Sequence, residues 1–244
     1  MNELFRAVSG DVLDLFFPRS CLGCGDALED GEPCRFFCSL CWRRFEWVRF
    51  PCCEKCGYPF YGEMLAGREC PNCVALNPSF DQGRAAFLLS GMGQVFVHAL
   101  KYRGITGVLN DLSVLLDQVS HFKDFLRDAV LVSVPLHKRR RRRRGYNQAE
   151  LIARALASII DGAEFADPLF RTRSTPTQTD LPRERRMKNV KNAFAPKPEA
   201  VMQENRRYVV IDDVITTGAT LEACSLALRE AGVSCVDVAV LAHG

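Results

Sequence analysis

The chain has 244 residues, 48% of them hydrophobic and 25% charged, with a formal net charge of +3. That balance is the composition of a folded globular protein and excludes wholesale disorder. No stretch approaches the roughly 20 apolar residues of a membrane span, and none carries the pattern of a secretion signal. The sequence therefore predicts a cytoplasmic protein with no membrane insertion. Charge is spread unevenly: residues 1–83 carry 8 Lys/Arg against 12 Asp/Glu, and residues 84–244 carry 24 against 17. Such asymmetry suggests two parts, 1–80 and 81–244, with the second handling anions.

The first predicted element is a short amphipathic helix. Leu4, Val8, Val12, Leu15 and Phe16 recur at helical spacing and stop before Pro18. With Glu3, Asp11 and Asp14 and no basic face, it is expected to pack on protein rather than on a membrane.

Ten of the twelve cysteines lie between Cys21 and Cys73. Cys21-Leu-Gly-Cys24-Gly and Cys38-Ser-Leu-Cys41 are repeated 32 residues on as Cys53-Glu-Lys-Cys56-Gly and Cys70-Pro-Asn-Cys73, with the same 13-residue spacer. Two thiolates three apart converge on one metal if the chain between them turns tightly, and the glycine after each second cysteine permits that turn. Two such knuckles complete a tetrahedral S4 site suited to zinc, and four protein ligands leave no open position, so two structural Zn2+ ions are expected. Sequential pairing (Cys21, Cys24, Cys38, Cys41, then Cys53, Cys56, Cys70, Cys73) and interleaved pairing are both open. The equal spacers favour sequential, self-contained ribbons. Cys34, Cys52, Cys224 and Cys235 fall outside the register.

From Arg84 onward strand and helix alternate. Ala85–Ser90 reads as a strand, Val95–Tyr102 and Val108–His121 as helices, and Ala129–Val134 as a buried strand. Asn147–Ile160 is a predicted helix, Tyr208–Asp213 a strand, Ala219–Ala231 a helix and Cys235–Leu241 a strand. This order predicts an α/β fold with a mostly parallel sheet flanked by helices. Residues 171–198 are polar and basic and read as a long flexible loop. Lys138–Arg144 is seven consecutive basic residues, which composition alone reads as a solvated loop.

The sharpest feature is Val209-Val-Ile-Asp-Asp-Val-Ile-Thr-Thr-Gly-Ala-Thr220. An apolar strand ends in two adjacent carboxylates, a Thr/Gly turn follows, and a helix begins. Unpaired N–H groups and the positive end of that helix then face the turn, a seat for phosphate.

This run resembles the signature of the type I phosphoribosyltransferases. The resemblance implies that Asp212 and Asp213 are the catalytic pair, holding the ribose hydroxyls of phosphoribosyl pyrophosphate (PRPP) directly or through Mg2+. It implies that Thr216, Thr217, Gly218, Ala219 and Thr220 hold the 5′-phosphate, and that Pro135, Leu136, His137, Lys138 and Arg139 stand where pyrophosphate binds. Residues 171–198, with Arg183, Arg185, Arg186 and Lys188, correspond to the family's closing lid. Purine-salvage members carry an Asp where this chain has Thr216, so abstraction of a purine proton is not implied.

Leu100-Lys-Tyr-Arg-Gly104, Val134-Pro-Leu136, Arg144-Gly-Tyr-Asn-Gln148, Gln178 and Arg186-Met-Lys-Asn189, behind the zinc knuckles, resemble the ComF competence family. That likeness implies a double zinc ribbon joined to a phosphoribosyltransferase domain and tied to uptake of single-stranded DNA. Two functions follow as expectations: a Mg2+-dependent transferase using PRPP or a nucleotide, and an adaptor for competence-machinery proteins that grips single-stranded DNA through Lys138–Arg144.

Overall fold

The computed structural model describes residues 19–32, 34–60, 69–173 and 192–244. The predicted N-terminal helix lies outside the described residues, as do Gln178 and the lid residues Arg183, Arg185, Arg186 and Lys188.

Two cysteine knuckles around the helix α1 (Ser39–Trp42) form the first ribbon, and two around α2 (Pro71–Leu76) form the second. Then come β1 (Gly83–Leu88), α3 (Gly91–Tyr102), a 3-10 segment (Thr106–Asp111), α4 (Leu112–Gln118), α5 (Ser120–Phe125) and β2 (Val130–Ser133). They are followed by α6 (Lys138–Arg144), α7 (Gln148–Ile159), β3 (Glu164–Ala166), β4 (Leu169–Arg171), β5 (Phe194–Pro196), β6 (Arg207–Ile215), α8 (Ala219–Glu230) and β7 (Cys235–His243). Among the described residues the main sheet is five-stranded and parallel, in the order β1-β7-β6-β2-β3.

Strand periodicity assigns the faces. Leu131, Val209, Ile211, Ala239 and Leu241 belong to one buried cluster with residues of α3, α4 and α7. Their neighbours Val130, Val132, Val210, Val238 and Val240 belong to the other, with α8 and the β4–β5 hairpin. Both faces are covered, so each of these Val, Leu and Ile side chains contributes about 1.5–3 kcal/mol of burial. The chain leaves β2 for β3 in one direction and β6 for β7 in the other. That reversal opens a crevice at the carboxyl ends of β2 and β6.

The zinc unit is built into this core. Val48 N–H donates to Ala86 O (3.0 Å), Leu88 N–H donates to Glu46 O (2.8 Å), and Trp47 pairs antiparallel with Phe87. The segment between the ribbons thus covers the edge of β1, which would otherwise expose unpaired backbone groups. Phe45 and Trp47 stack with centroids 4.8 Å apart, and Phe45 also meets the edges of Phe87 (5.4 Å) and Phe96 (6.5 Å). Asp111, 3% exposed, accepts from Arg35 N–H (2.8 Å) and Phe36 N–H (3.1 Å), tying the first ribbon to the start of α4.

Three expectations change. The helix expected over Val108–His121 is a 3-10 segment and two short helices, broken where fully buried Val119 leaves helical geometry (φ −134°, ψ 61°). The loop expected over residues 171–198 has paired ends: Arg171 sits opposite Phe194, and Leu169 opposite Pro196. The basic run Lys138–Arg144 is a helix, not a loop.

Candidate functional site

At the carboxyl end of β6 the two acids are in different settings. Asp213 is 2% exposed, and its Oδ2 lies 2.9 Å from Lys101 Nζ at the end of α3. Asp212 is half-buried, and its Oδ1 accepts from Asp213 N–H (2.9 Å). Burial, followed by repulsion from Asp213, pushes the Asp212 carboxyl well above the usual carboxylate range, although Lys101 opposes this. Burial pulls Lys101 down, but the charges of Asp213 and Asp212 outweigh it and hold the ammonium above its ordinary value. Two carboxylates and one ammonium share the strand end, so the acid pair remains under-neutralised.

The turn that follows forms a cup at the start of α8. Gly218 takes a left-handed conformation (φ 76°) as the N-cap of α8, and Thr216, Thr217, Gly218, Ala219 and Thr220 line a small cup with Asp212. The N-cap residue of α8 is Gly218, which has no side chain to cap the helix, so the first backbone donors face the cup.

A cavity of about 360 Å3 joins this cup to the end of β2. Pro135, Leu136, Asp212, Asp213, Thr216 and Thr220 line it. His137, Lys138 and Arg139 are not in its wall. His137 Nδ1 accepts from Arg139 N–H (3.2 Å) as the N-cap of α6, and Lys138 and Arg139 are exposed. The cations facing the cavity are instead Lys101, Arg140, Arg144 and Arg171. Arg140 and Arg144 are four apart on α6 and therefore share a face. Burial, then repulsion from Arg144 and Arg143, depresses Arg140; burial, then repulsion from Arg140, depresses Arg171. Three guanidinium groups gathered at one cavity favour an anionic ligand there, which suits it to a polyphosphate.

Sequence reasoning missed Lys101, Arg140, Arg144 and Arg171. Lys101 lies inside the Leu100–Gly104 motif, and a helical reading of Lys138–Arg144 would have separated the inward Arg140 and Arg144 from the rest.

The cysteines pair sequentially. In each set of four, Cys21/Cys24/Cys38/Cys41 and Cys53/Cys56/Cys70/Cys73, the sulfurs lie within 4.8 Å of one another. Sulfurs bonded to one zinc ion at about 2.3 Å stand about 3.8 Å apart. Cys24 and Cys38 Sγ are 3.8 Å apart, and Cys56 and Cys70 Sγ are 3.6 Å apart. Backbone donors point at the thiolates: Cys38 N–H to Cys21 Sγ (3.3 Å) and Cys70 N–H to Cys53 Sγ (3.3 Å). The turn glycines have the expected positive φ, 84° at Gly25 and 75° at Gly57. Both donor sets fit structural Zn2+.

Residues 12–74 match the double zinc ribbon domain family, and residues 143–244 match the phosphoribosyl transferase domain family. Competence protein F of Haemophilus influenzae is 31% identical over 237 residues, 93% of this chain and 98% of that protein. The chain belongs to the ComF family. DNA utilization protein YhgH of Escherichia coli K12 is 32% identical over 206 residues, covering 82% of this chain and 87% of YhgH. Competence protein ComFC of Bacillus subtilis is 27% identical over 211 residues, covering 82% and 81%. The match along the chain joins the zinc ribbons to a phosphoribosyltransferase fold with a parallel sheet, the architecture described above. Among the described residues no helix is long and apolar enough to cross a membrane.

Proposed function

We propose that this ComF-family chain binds PRPP or a nucleoside 5′-monophosphate at the carboxyl end of β6 and transfers the phosphoribosyl group to a nitrogenous acceptor in the cytoplasm. One observation carries the reading: a single cavity is lined by the paired acids, by Thr216 and Thr220 of the helix N-terminal cup, and by Arg140, Arg144 and Arg171. In the reaction the C1′–O bond to diphosphate breaks, a C1′–N bond forms, and the acceptor nitrogen loses its proton. The cup holds the 5′-phosphate, the acids hold the ribose hydroxyls, and the guanidinium groups stabilise the departing diphosphate where its charge develops. The hard carboxylate oxygens of Asp212 and Asp213 also suit Mg2+, which supplies charge neutralisation of the diphosphate when bound. Titration calorimetry with PRPP and Mg2+ tests the reading. Asp212→Asn with Asp213→Asn should weaken binding by about 2–4 kcal/mol, the loss of charge-assisted hydrogen bonds, and unchanged affinity would refute it.

A second function is supported by the outer face of α6. Lys138, Arg139, Arg141, Arg142 and Arg143 are exposed, more cations than a small ligand needs. Among the described residues, Arg141 alone of these five meets an acid, Glu150 at 3.4 Å. Together with the relatives' names, this face supports binding of single-stranded DNA by phosphate contacts, with competence-machinery proteins as further partners.

A further inference from the structure

The two zinc ribbons share one spacing but not one exposure. Positions 32 apart are equivalent, so the cysteines compare pair by pair. Cys24 is exposed, whereas its counterpart Cys56 is 4% exposed. Cys38 is half-buried, whereas Cys70 is 2% exposed. The other pairs, Cys21 with Cys53 and Cys41 with Cys73, are buried throughout. The turn glycines differ in the same sense. A Cβ on Gly57 would lie 2.6 Å from Ala85 N of β1, whereas one on Gly25 would meet open space. Buried Phe80 and His243 stand beside the second set, with His243 Nε2 3.4 Å from Cys56 Sγ.

We infer that the first ribbon is an oxidisable site and the second is not: a hydroperoxide attacks at Cys24, Cys38 resolves the product as a disulfide, and the first site loses its zinc. A thiolate bound to zinc stays deprotonated. Cysteines oxidise where solvent reaches such a thiolate and a second one stands beside it. Cys24 and Cys38 meet both conditions, with their Sγ atoms 3.8 Å apart. In the first step the Cys24 thiolate bonds to one oxygen of hydrogen peroxide. The O–O bond breaks, and hydroxide departs with its electron pair, leaving a sulfenic acid. The Cys38 thiolate then forms the S–S bond, and the sulfenic oxygen leaves as a second hydroxide. Two thiolates give up two electrons and the peroxide takes them. Cys21 and Cys41 remain, too few to hold a closed tetrahedral site. The second ribbon carries the same chemistry, but peroxide reaches its sulfurs only when the ribbon opens.

The test exposes the full zinc-loaded chain to hydrogen peroxide beside a chromophoric zinc chelator, with alkylation and peptide mass analysis at intervals. A sample without peroxide sets the baseline. The first zinc equivalent should be released in step with a Cys24–Cys38 disulfide. The second should follow at least about tenfold more slowly, with Cys53, Cys56, Cys70 and Cys73 still open to alkylation after unfolding. Dithiothreitol and zinc should restore the first site. Cys24→His keeps four ligands, in the Cys3His set that structural zinc accepts, but removes the attacked sulfur. It should slow the first release by at least about tenfold. Release of both equivalents at one rate, earlier oxidation of the second set, or unchanged release from Cys24→His would overturn the assignment. Should Cys24→His fail to hold zinc, the order of oxidation in the natural chain decides alone.

Discussion

Breaking the second zinc site should damage far more than the ribbon that carries it, and Cys53→Ser measures how far. Cys53 is 0% exposed, and around it the second ribbon is fused to the sheet. A Cβ on Gly57 would come within 2.6 Å of Ala85 N of β1, and one on Gly83 within 2.2 Å of Lys55 O. Cys56 Sγ lies 3.4 Å from His243 Nε2 at the end of β7. Leu76 of α2 lies against the phosphate cradle, where a Cβ on Gly218 would come within 2.9 Å of its Cδ2. Ser79 donates through N–H (2.8 Å) and Oγ (3.1 Å) to Glu222 in the first turn of α8. A structural zinc site contributes roughly 10–16 kcal/mol of folding free energy, so one of four ligands accounts for about 3–4 kcal/mol. At about 2–4 °C per kcal/mol for a chain of this size, the melting temperature should fall by roughly 6–16 °C. Cys24→Ser is the control: it removes one ligand of the first ribbon, in which Cys24 is exposed and no described residue lines the cavity or the cup. Zinc content, melting temperature and AMP affinity are measured on both variants. Both should hold the zinc of the altered site more weakly, but only Cys53→Ser should weaken AMP binding, by at least tenfold. Equal AMP affinity in the two variants, or a sheet that melts in Cys53→Ser as in the natural chain, would refute the fused-ribbon account.

Asp212→Asn should stabilise the ligand-free protein at neutral pH. The folded carboxyl has a pKa well above the unfolded value of about 3.9, so the stability it confers is full below the unfolded value and is lost as pH rises through the folded one. The gain in melting temperature should therefore grow from pH 5 to pH 8, and a gain independent of pH would contradict the assignment. Gly218→Ala should cost about 1–2 kcal/mol from its left-handed φ alone and should also weaken phosphate binding by displacing Leu76, checked by denaturation and AMP titration. Changing Arg139, Arg141, Arg142 and Arg143 to Gln should weaken single-stranded DNA binding regardless of sequence. The slope of log affinity against log salt should flatten by about 0.7 for each DNA phosphate no longer neutralised. AMP affinity should be unchanged, and fluorescence anisotropy at several salt concentrations reads the difference.

Features fixed by local spacing were legible in the sequence. The repeated cysteine spacing and the two turn glycines demand metal knuckles, and their φ values agree. The run from Val209 to Thr220 encodes strand, acids, cradle and helix in one segment, because each is held by its immediate neighbours. What could not be read is long-range. Lys101 meets Asp213 across 112 positions, through packing of α3 on the sheet. Likewise, Glu46–Val48 looks like linker between two ribbons, yet it pairs with β1 because the sheet edge needs donors and acceptors there. Fusion of the ribbons to the core follows from that pairing, and duplicated spacing had suggested self-contained units.

The basic run shows why composition misleads most where charge is densest. Seven like charges in a row disfavour any compact arrangement, and a seven-residue helix is too short to persist alone. Its neighbours supply what the run lacks. His137 caps the start, and Gly145 (φ 87°) closes the end with its N–H on Arg141 O (2.7 Å). On the flank Glu150 of α7 meets Arg141 at 3.4 Å, and Gln148 accepts from Arg144. The partial negative charge at the helix C-terminus also favours the cations gathered there. Once helical, the run has two faces with different chemistry. Arg140 and Arg144 look into the cavity beside Asp212, and the remaining five residues look outward. A variant that neutralises Arg140 together with its neighbours would disturb nucleotide and nucleic acid alike, and its phenotype could not separate the two functions. Sparing Arg140 and Arg144 separates them, because the helix itself has already sorted the charges by face.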